Sequence, residues 1–159
     1  MNISQFFDIN GKQQYLSIRS RASGLPLLLY LHGGPGDAAL PLMIKYNSEL
    51  ESKFTVVVWE QRGAGKSYYP FSPDENLTMQ TFLDDIHCIV TLLLERFHQE
   101  KVYLLGHSWG SALGVQFIGQ HPELVHTYIG CGQVVDMQKG AGHQYEYVKA
   151  KSEEYGKTK

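Results

Sequence analysis

Gly106-His107-Ser108-Trp109-Gly110 sets a serine between two glycines, the pattern of a nucleophile in a turn too tight for side chains on either flank. A serine hydroxyl is a weak nucleophile near neutral pH and needs a base to take its proton. It attacks a carbonyl best where backbone N–H groups wait for the oxyanion. His32-Gly33-Gly34-Pro35-Gly36 supplies such a loop. Its glycines let the main chain come close to a substrate, and the Gly34 N–H, with Gly33 next, is expected to face the oxyanion. The second donor is expected from the residue after the serine, Trp109. His32 precedes this loop and is expected to hold it in shape by hydrogen bonding rather than to act as the base.

Two other segments have the look of chemistry and yield plainer expectations. Gly65-Lys66-Ser67 ends like a phosphate-binding loop, but the full pattern needs a glycine five residues before Gly65, and that position is Glu60. The stretch is expected to be a structural turn braced by polar contacts of Glu60 and Arg62. Asp84-Asp85 looks like a carboxylate pair. Neighbours on a helix point roughly 100° apart, and negative charge is favourable near a helix N-terminus. Both are therefore expected to be solvated in the first turns of a helix.

These residues need elements to position them. Phe6, Phe7 and Ile9 precede Asn10-Gly11, and Tyr15, Leu16 and Ile18 follow, which predicts a tight hairpin. The unbroken apolar runs Leu25–Leu31 and Phe54–Trp59 predict strands buried on both faces. Lys101–Gly106 and Leu124–Gly130 predict two more. Helices are expected over Leu42–Glu51, over Thr78–Phe97 with Thr78 as N-cap, and over Ser108–Gln120. Gln144–Lys159 is polar, tyrosine-rich and expected to be helical. Alternating strands and helices predict a mostly parallel sheet behind an antiparallel N-terminal hairpin. Ligands bind beyond the carboxyl ends of such strands, where Gly33–Gly36, Gly63–Gly65 and Gly106–Gly110 all fall.

A chain of 159 residues makes one domain with one core. Its 14 basic against 16 acidic residues leave a net charge of −2 and no basic stripe, which points away from nucleic acid and anionic membranes as partners. Cys88 and Cys131 match no metal-ligand spacing and are expected to be free, buried thiols. The opening MNISQFFDING has no basic segment followed by an apolar stretch, and the apolar runs are far too short to span a bilayer. A cytoplasmic location is expected, with no metal or cofactor.

HGGPG at His32–Gly36, QRGAGKS at Gln61–Ser67, GHSWGS at Gly106–Ser111 and HPELV at His121–Val125, in this order, resemble the α/β-hydrolase fold and, more narrowly, the proline iminopeptidase family. The resemblance runs from about Leu25 to Val135. Glu60 stands where the family usually has aspartate, and His107 where it usually has glycine. The resemblance implies a serine hydrolase acting on a small peptide, amide or ester through an acyl-enzyme, with an aminopeptidase favoured. Related serine hydrolases with HGGPG cleave esters, lactones or other amides. It also implies that residues 1–135 form the N-terminal part of an α/β-hydrolase core and that 136–159 begin a helical cap.

The fold orders its triad as serine, acid, histidine, and in the family the last two follow later strands beyond the cap. They are expected to lie past Lys159, together with the C-terminal strands and most of the cap. Asp136 and His143 follow Ser108 in the right order and are local candidates. Epoxide or haloalkane hydrolysis on this fold uses an aspartate at the nucleophile position, where this chain has Ser108. The other alternative is a non-catalytic binding protein built from a partial hydrolase, and an unpaired sheet edge would favour self-association.

Overall fold

The computed structural model describes residues 1–156; the last three positions of the expected C-terminal helix lie outside the described residues. The chain runs β1 (Asn2–Ile9), β2 (Lys12–Arg19), β3 (Leu27–Leu31), α1 (Leu40–Tyr46), β4 (Thr55–Glu60), α2 (Met79–Phe97), β5 (Val102–His107), α3 (Trp109–Gln120), β6 (Val125–Cys131) and α4 (Met137–Glu154). The strands form one sheet in the order β1-β2-β4-β3-β5-β6. β1 and β2 pair antiparallel, as do β2 and β4, while β3, β4, β5 and β6 are parallel. Asn10 and Gly11 turn the hairpin with φ of 49° and 74°, the positive pair such a turn requires.

Alternation within the buried strands explains their unbroken apolar sequence. Leu27, Leu29 and Leu31 join Val57 and Trp59 against α2 and α3, where Ile86, Ile89, Leu113 and Phe117 are buried. Leu28, Tyr30, Val56 and Val58 face the other side, under Leu40 and Met43 of α1. Each leucine fully removed from water contributes about 1.5–3 kcal/mol before entropy is charged against it. α2 starts where expected. The Thr78 hydroxyl accepts from Thr81 N–H at 3.3 Å, and Thr78 N–H donates to Thr81 Oγ1 at 3.2 Å.

Three expectations are corrected. The first helix is α1, Leu40–Tyr46, rather than Leu42–Glu51. It stops at Asn47, and Ser48–Ser52 continue as a tighter 3-10 turn. Cys131 is free but exposed, and Cys88 is only half-buried. Cys131 ends β6, one of the two edge strands of the sheet among the described residues. Asp84 is exposed, but Asp85 is wholly buried. The 100° between adjacent helical positions puts one carboxylate in water and turns the other towards the sheet. Among the described residues no helix is long and apolar enough to cross a membrane.

Candidate active site

β3, β4 and β5 all deliver their carboxyl ends to one rim of the sheet. β3 lies between the other two, so the loops that follow these strands meet. β5 leads into the serine turn. Ser108 has φ 50° and ψ −116°, a strained backbone for a residue with a side chain. The turn is close enough that a Cβ on Gly110 would lie 2.0 Å from Leu31 O, and one on Gly106 would lie 2.5 Å from Gly110 O. Glycine is therefore required on both flanks. The contact with Leu31 also shows how near this turn sits to the residues before His32.

The turn is fastened from several directions. Ser108 N–H donates to Cys131 O at 2.9 Å, tying it to the end of β6. Ser111 Oγ donates to Ser108 O at 2.6 Å and accepts from Val134 N–H at 2.9 Å. Tyr128 Oη and Gln133 Nε2 both donate to Ser111 O. The Ser108 side chain is spared from all of this. It does not cap α3, and among the described residues its hydroxyl has no hydrogen-bond partner. The residue is half-buried at the N-terminus of α3, where the helix dipole favours developing negative charge.

The glycine loop lies alongside. A Cβ on Gly33 would lie 3.0 Å from His107 Nδ1 and 3.4 Å from His107 O, so the two loops are adjacent. Gly34 has φ 112°, and a side chain there would meet Gly36 N at 2.5 Å. Gly34 is exposed, whereas His32 and Gly33 are buried. Among the described residues the backbone N–H groups of Gly34 and Trp109 donate to no other group of the chain.

His32 behaves as the sequence leads one to expect. Its Nδ1 donates to Gly33 O at 2.9 Å, and its Nε2 accepts from Gln61 N–H at 3.0 Å. Both nitrogens are engaged, so this ring is not free to take a proton from Ser108. Burial pushes its pKa below the ordinary histidine value. The Gln61 side chain donates to His32 O at 2.9 Å and accepts from the Trp109 indole N–H at 3.2 Å.

Glu60 and Arg62 brace the next loop, as expected. Lys66 N–H donates to the Glu60 carboxylate at 2.6 Å, and Ser67 Oγ donates to Glu60 O while accepting from Tyr15 N–H. Arg62 forms a two-pronged ion pair with Asp85 at 2.9 and 2.8 Å, and these hydrogen bonds hold its pKa above the usual arginine value. Asn10 and Gln14 donate to the same carboxylate at 2.9 and 2.8 Å. The position of Asp85 is legible in hindsight, three residues after Phe82 and four before Ile89 on the apolar stripe of α2, the spacing that puts residues on one helix face. Gln61 gives no such signal, because an isolated amide carries no periodicity.

Beside Trp109 opens a cleft of about 400 Å³, lined by Pro35, Gly63, Phe71, Leu77, Phe82 and Arg62 among others. The Phe82 ring meets Trp109 edge-on at 5.8 Å. Asp136 and His143 follow the segment that ends β6, whose Cys131 O and Val134 N–H are bonded to the serine turn. Asp136 caps α4, accepting from Lys139 N–H at 2.9 Å. His143 is exposed on α4, and among the described residues neither bonds to Ser108. No group of three or more histidine, cysteine or acidic residues among them is placed to hold a metal.

The model of the α/β-hydrolase fold family matches residues 26–155. This chain belongs to that family. It is 39% identical over 151 residues to the "Probable aminopeptidase YbaC" of Bacillus subtilis, covering 95% of this chain and 48% of that one. It is 32% identical over 144 residues to a "Probable proline iminopeptidase" of Streptomyces coelicolor, covering 84% and 43%. In structure it is similar to a proline iminopeptidase-related protein of Thermus thermophilus, with a TM-score of 0.67, 26% identity, and coverage of 82% and 44%. The α/β-hydrolase core and the resemblance to proline iminopeptidases expected from the motifs are thus shown. The chain spans about half the length of the curated relatives it matches.

Proposed function

We propose that the protein is a serine hydrolase that cleaves an amide or ester through an acyl-enzyme, with an aminopeptidase of the proline iminopeptidase kind favoured. The observation that carries this is the strained, half-buried Ser108 with its unbonded hydroxyl, together with the backbone N–H groups of Gly34 and Trp109, which have no acceptor among the described residues. Ser108 attacks the carbonyl carbon. The N–H groups of Gly34 and Trp109, with Gly33 next in line, hold the oxyanion, and water releases the acyl group. The named relatives support a peptidase.

Among the described residues no imidazole or carboxylate bonds to the Ser108 hydroxyl, Asp136 and His143 included. On this reading the base and acid belong to the part of its relatives' length that this chain does not span. By itself this chain is expected to acylate and deacylate slowly, because an oxyanion hole and binding alone retain only a fraction of a triad's rate. On this reading residues 136–159 begin a helical cap.

One observation favours an ester or lactone substrate instead. Among the described residues the cleft beside Trp109 is lined by aromatic and aliphatic side chains and by Arg62, a lining that fits an apolar acyl or alcohol group. A p-nitrophenyl ester and a proline anilide, each followed by intact mass, test the proposal. A single acyl group on Ser108, absent from Ser108→Ala, is the expected result; acylation that survives this substitution would overturn it. Which of the two substrates acylates faster decides between amide and ester.

A further inference from the structure

Availability of the Gly34 N–H depends on which way the Gly33–Gly34 peptide faces. In a planar trans peptide the C=O and N–H point in opposite directions. Gly33 O is held on one side by His32 Nδ1 at 2.9 Å, with Asp37 N–H at 3.4 Å as a weaker second donor. The Gly34 N–H must then point away from the His32 ring. A glycine-rich loop does not choose this direction unaided, because glycine tolerates both orientations of a peptide.

His32 holds Gly33 O only if its proton is on Nδ1. Gln61 enforces that, since its backbone N–H is directed at Nε2 from 3.0 Å and requires a lone pair there. The same residue fixes the His32 main chain through Nε2···O at 2.9 Å, and takes the Trp109 indole N–H on Oε1 at 3.2 Å. One buried glutamine thus holds the histidine that orients the first oxyanion donor and the residue that carries the second.

We propose that His32 and Gln61 are positioning residues that form a latch: Gln61 selects the Nδ1–H tautomer of His32, and that proton turns the Gly34 N–H towards Ser108. The latch rests on Ser108 being the nucleophile, and neither residue touches substrate.

The test uses substitutions that separate the two ring nitrogens. Asparagine in place of His32 can present a donor near Nδ1, while glutamine presents one nearer Nε2. If the ring only fills space, glutamine, closer in volume, should replace it at least as well. The latch predicts the reverse. Phosphonylation of Ser108 by a fluorophosphonate should fall at least about tenfold in His32→Gln, as for loss of one oxyanion donor. It should recover most of its rate in His32→Asn, with the change in the maximal rate rather than in the half-saturating concentration.

A second measurement requires neither a variant nor activity. Nitrogen-15 NMR of the wild-type ring should show a protonated Nδ1 and an unprotonated, hydrogen-bonded Nε2. The opposite tautomer, or equal rates for the asparagine and glutamine variants, would overturn the latch, and the first of these results stands even if a variant fails to fold. Phosphonylation of another residue in place of Ser108, together with the expected tautomer, would instead count against Ser108 as the nucleophile and leave the orientation of the peptide supported.

Discussion

Replacing Asp85 with alanine should remove much of the margin on which this fold stands. The carboxylate is fully buried and receives four hydrogen bonds, two from Arg62 and one each from Asn10 and Gln14. The Arg62 side chain is only 6% exposed. Losing the carboxylate strands a largely buried guanidinium, a loss of about 3–5 kcal/mol for a buried pair broken on one side. Domains of this kind hold about 5–15 kcal/mol in total. At about 2–4 °C per kcal/mol for a chain of this size, the melting temperature should drop by roughly 6–20 °C. The double variant Asp85→Leu with Arg62→Met removes both charges and should lose less than the two single variants added together, with a coupling of about 2 kcal/mol or more. Urea unfolding of the wild type and these variants, followed by circular dichroism, measures this. Asp85→Ala within about 0.5 kcal/mol of wild type, or strictly additive losses, would refute the claim that this ion pair is a buried, interdependent brace.

Further outcomes follow from the rim. Ser108→Gly removes a side chain from a φ of 50° and should stabilise the protein by about 1 kcal/mol while abolishing acylation; an unchanged or lowered melting temperature contradicts the strain. Gly110→Ala drives a methyl to 2.0 Å from Leu31 O and should cost more than about 3 kcal/mol, visible as a lost unfolding transition. Burial keeps His32 below the ordinary histidine pKa, opposed by its hydrogen bond to Gly33 and by the charges of Asp37 and Glu60. The unfolded chain therefore takes up a proton that the folded one resists. The stability His32 contributes is complete above about pH 6.5 and is lost as pH falls through its folded-state value. Between about pH 7.5 and about pH 5, wild type should lose more stability than His32→Asn in parallel urea titrations.

Much of the frame was legible because it repeats. Leu27–Leu31 and Thr55–Glu60 are buried along their whole length, and an unbroken apolar run has few other uses. The Asn10-Gly11 turn and the Thr78 cap were local signals with local causes. The rim was legible in outline, since the glycines mark where chains pass too closely for a Cβ. What holds the rim in place was not. Asp85 reaches Asn10 and Gln14 across more than seventy positions of sequence, and Gln61 joins His32 to Trp109 from a third segment. Such contacts follow from strand order, not from pattern. Cys131 was misjudged for the related reason that the burial of β6 depends on what covers it, which its own sequence does not state.

The most direct measurement is site-mapped labelling of the intact chain with a fluorophosphonate. The account predicts a single adduct on Ser108, formed at least about tenfold faster than in Gly34→Ala and absent from Ser108→Ala. An adduct carried by another residue, or one that persists in Ser108→Ala, would contradict the assignment of Ser108 as the nucleophile.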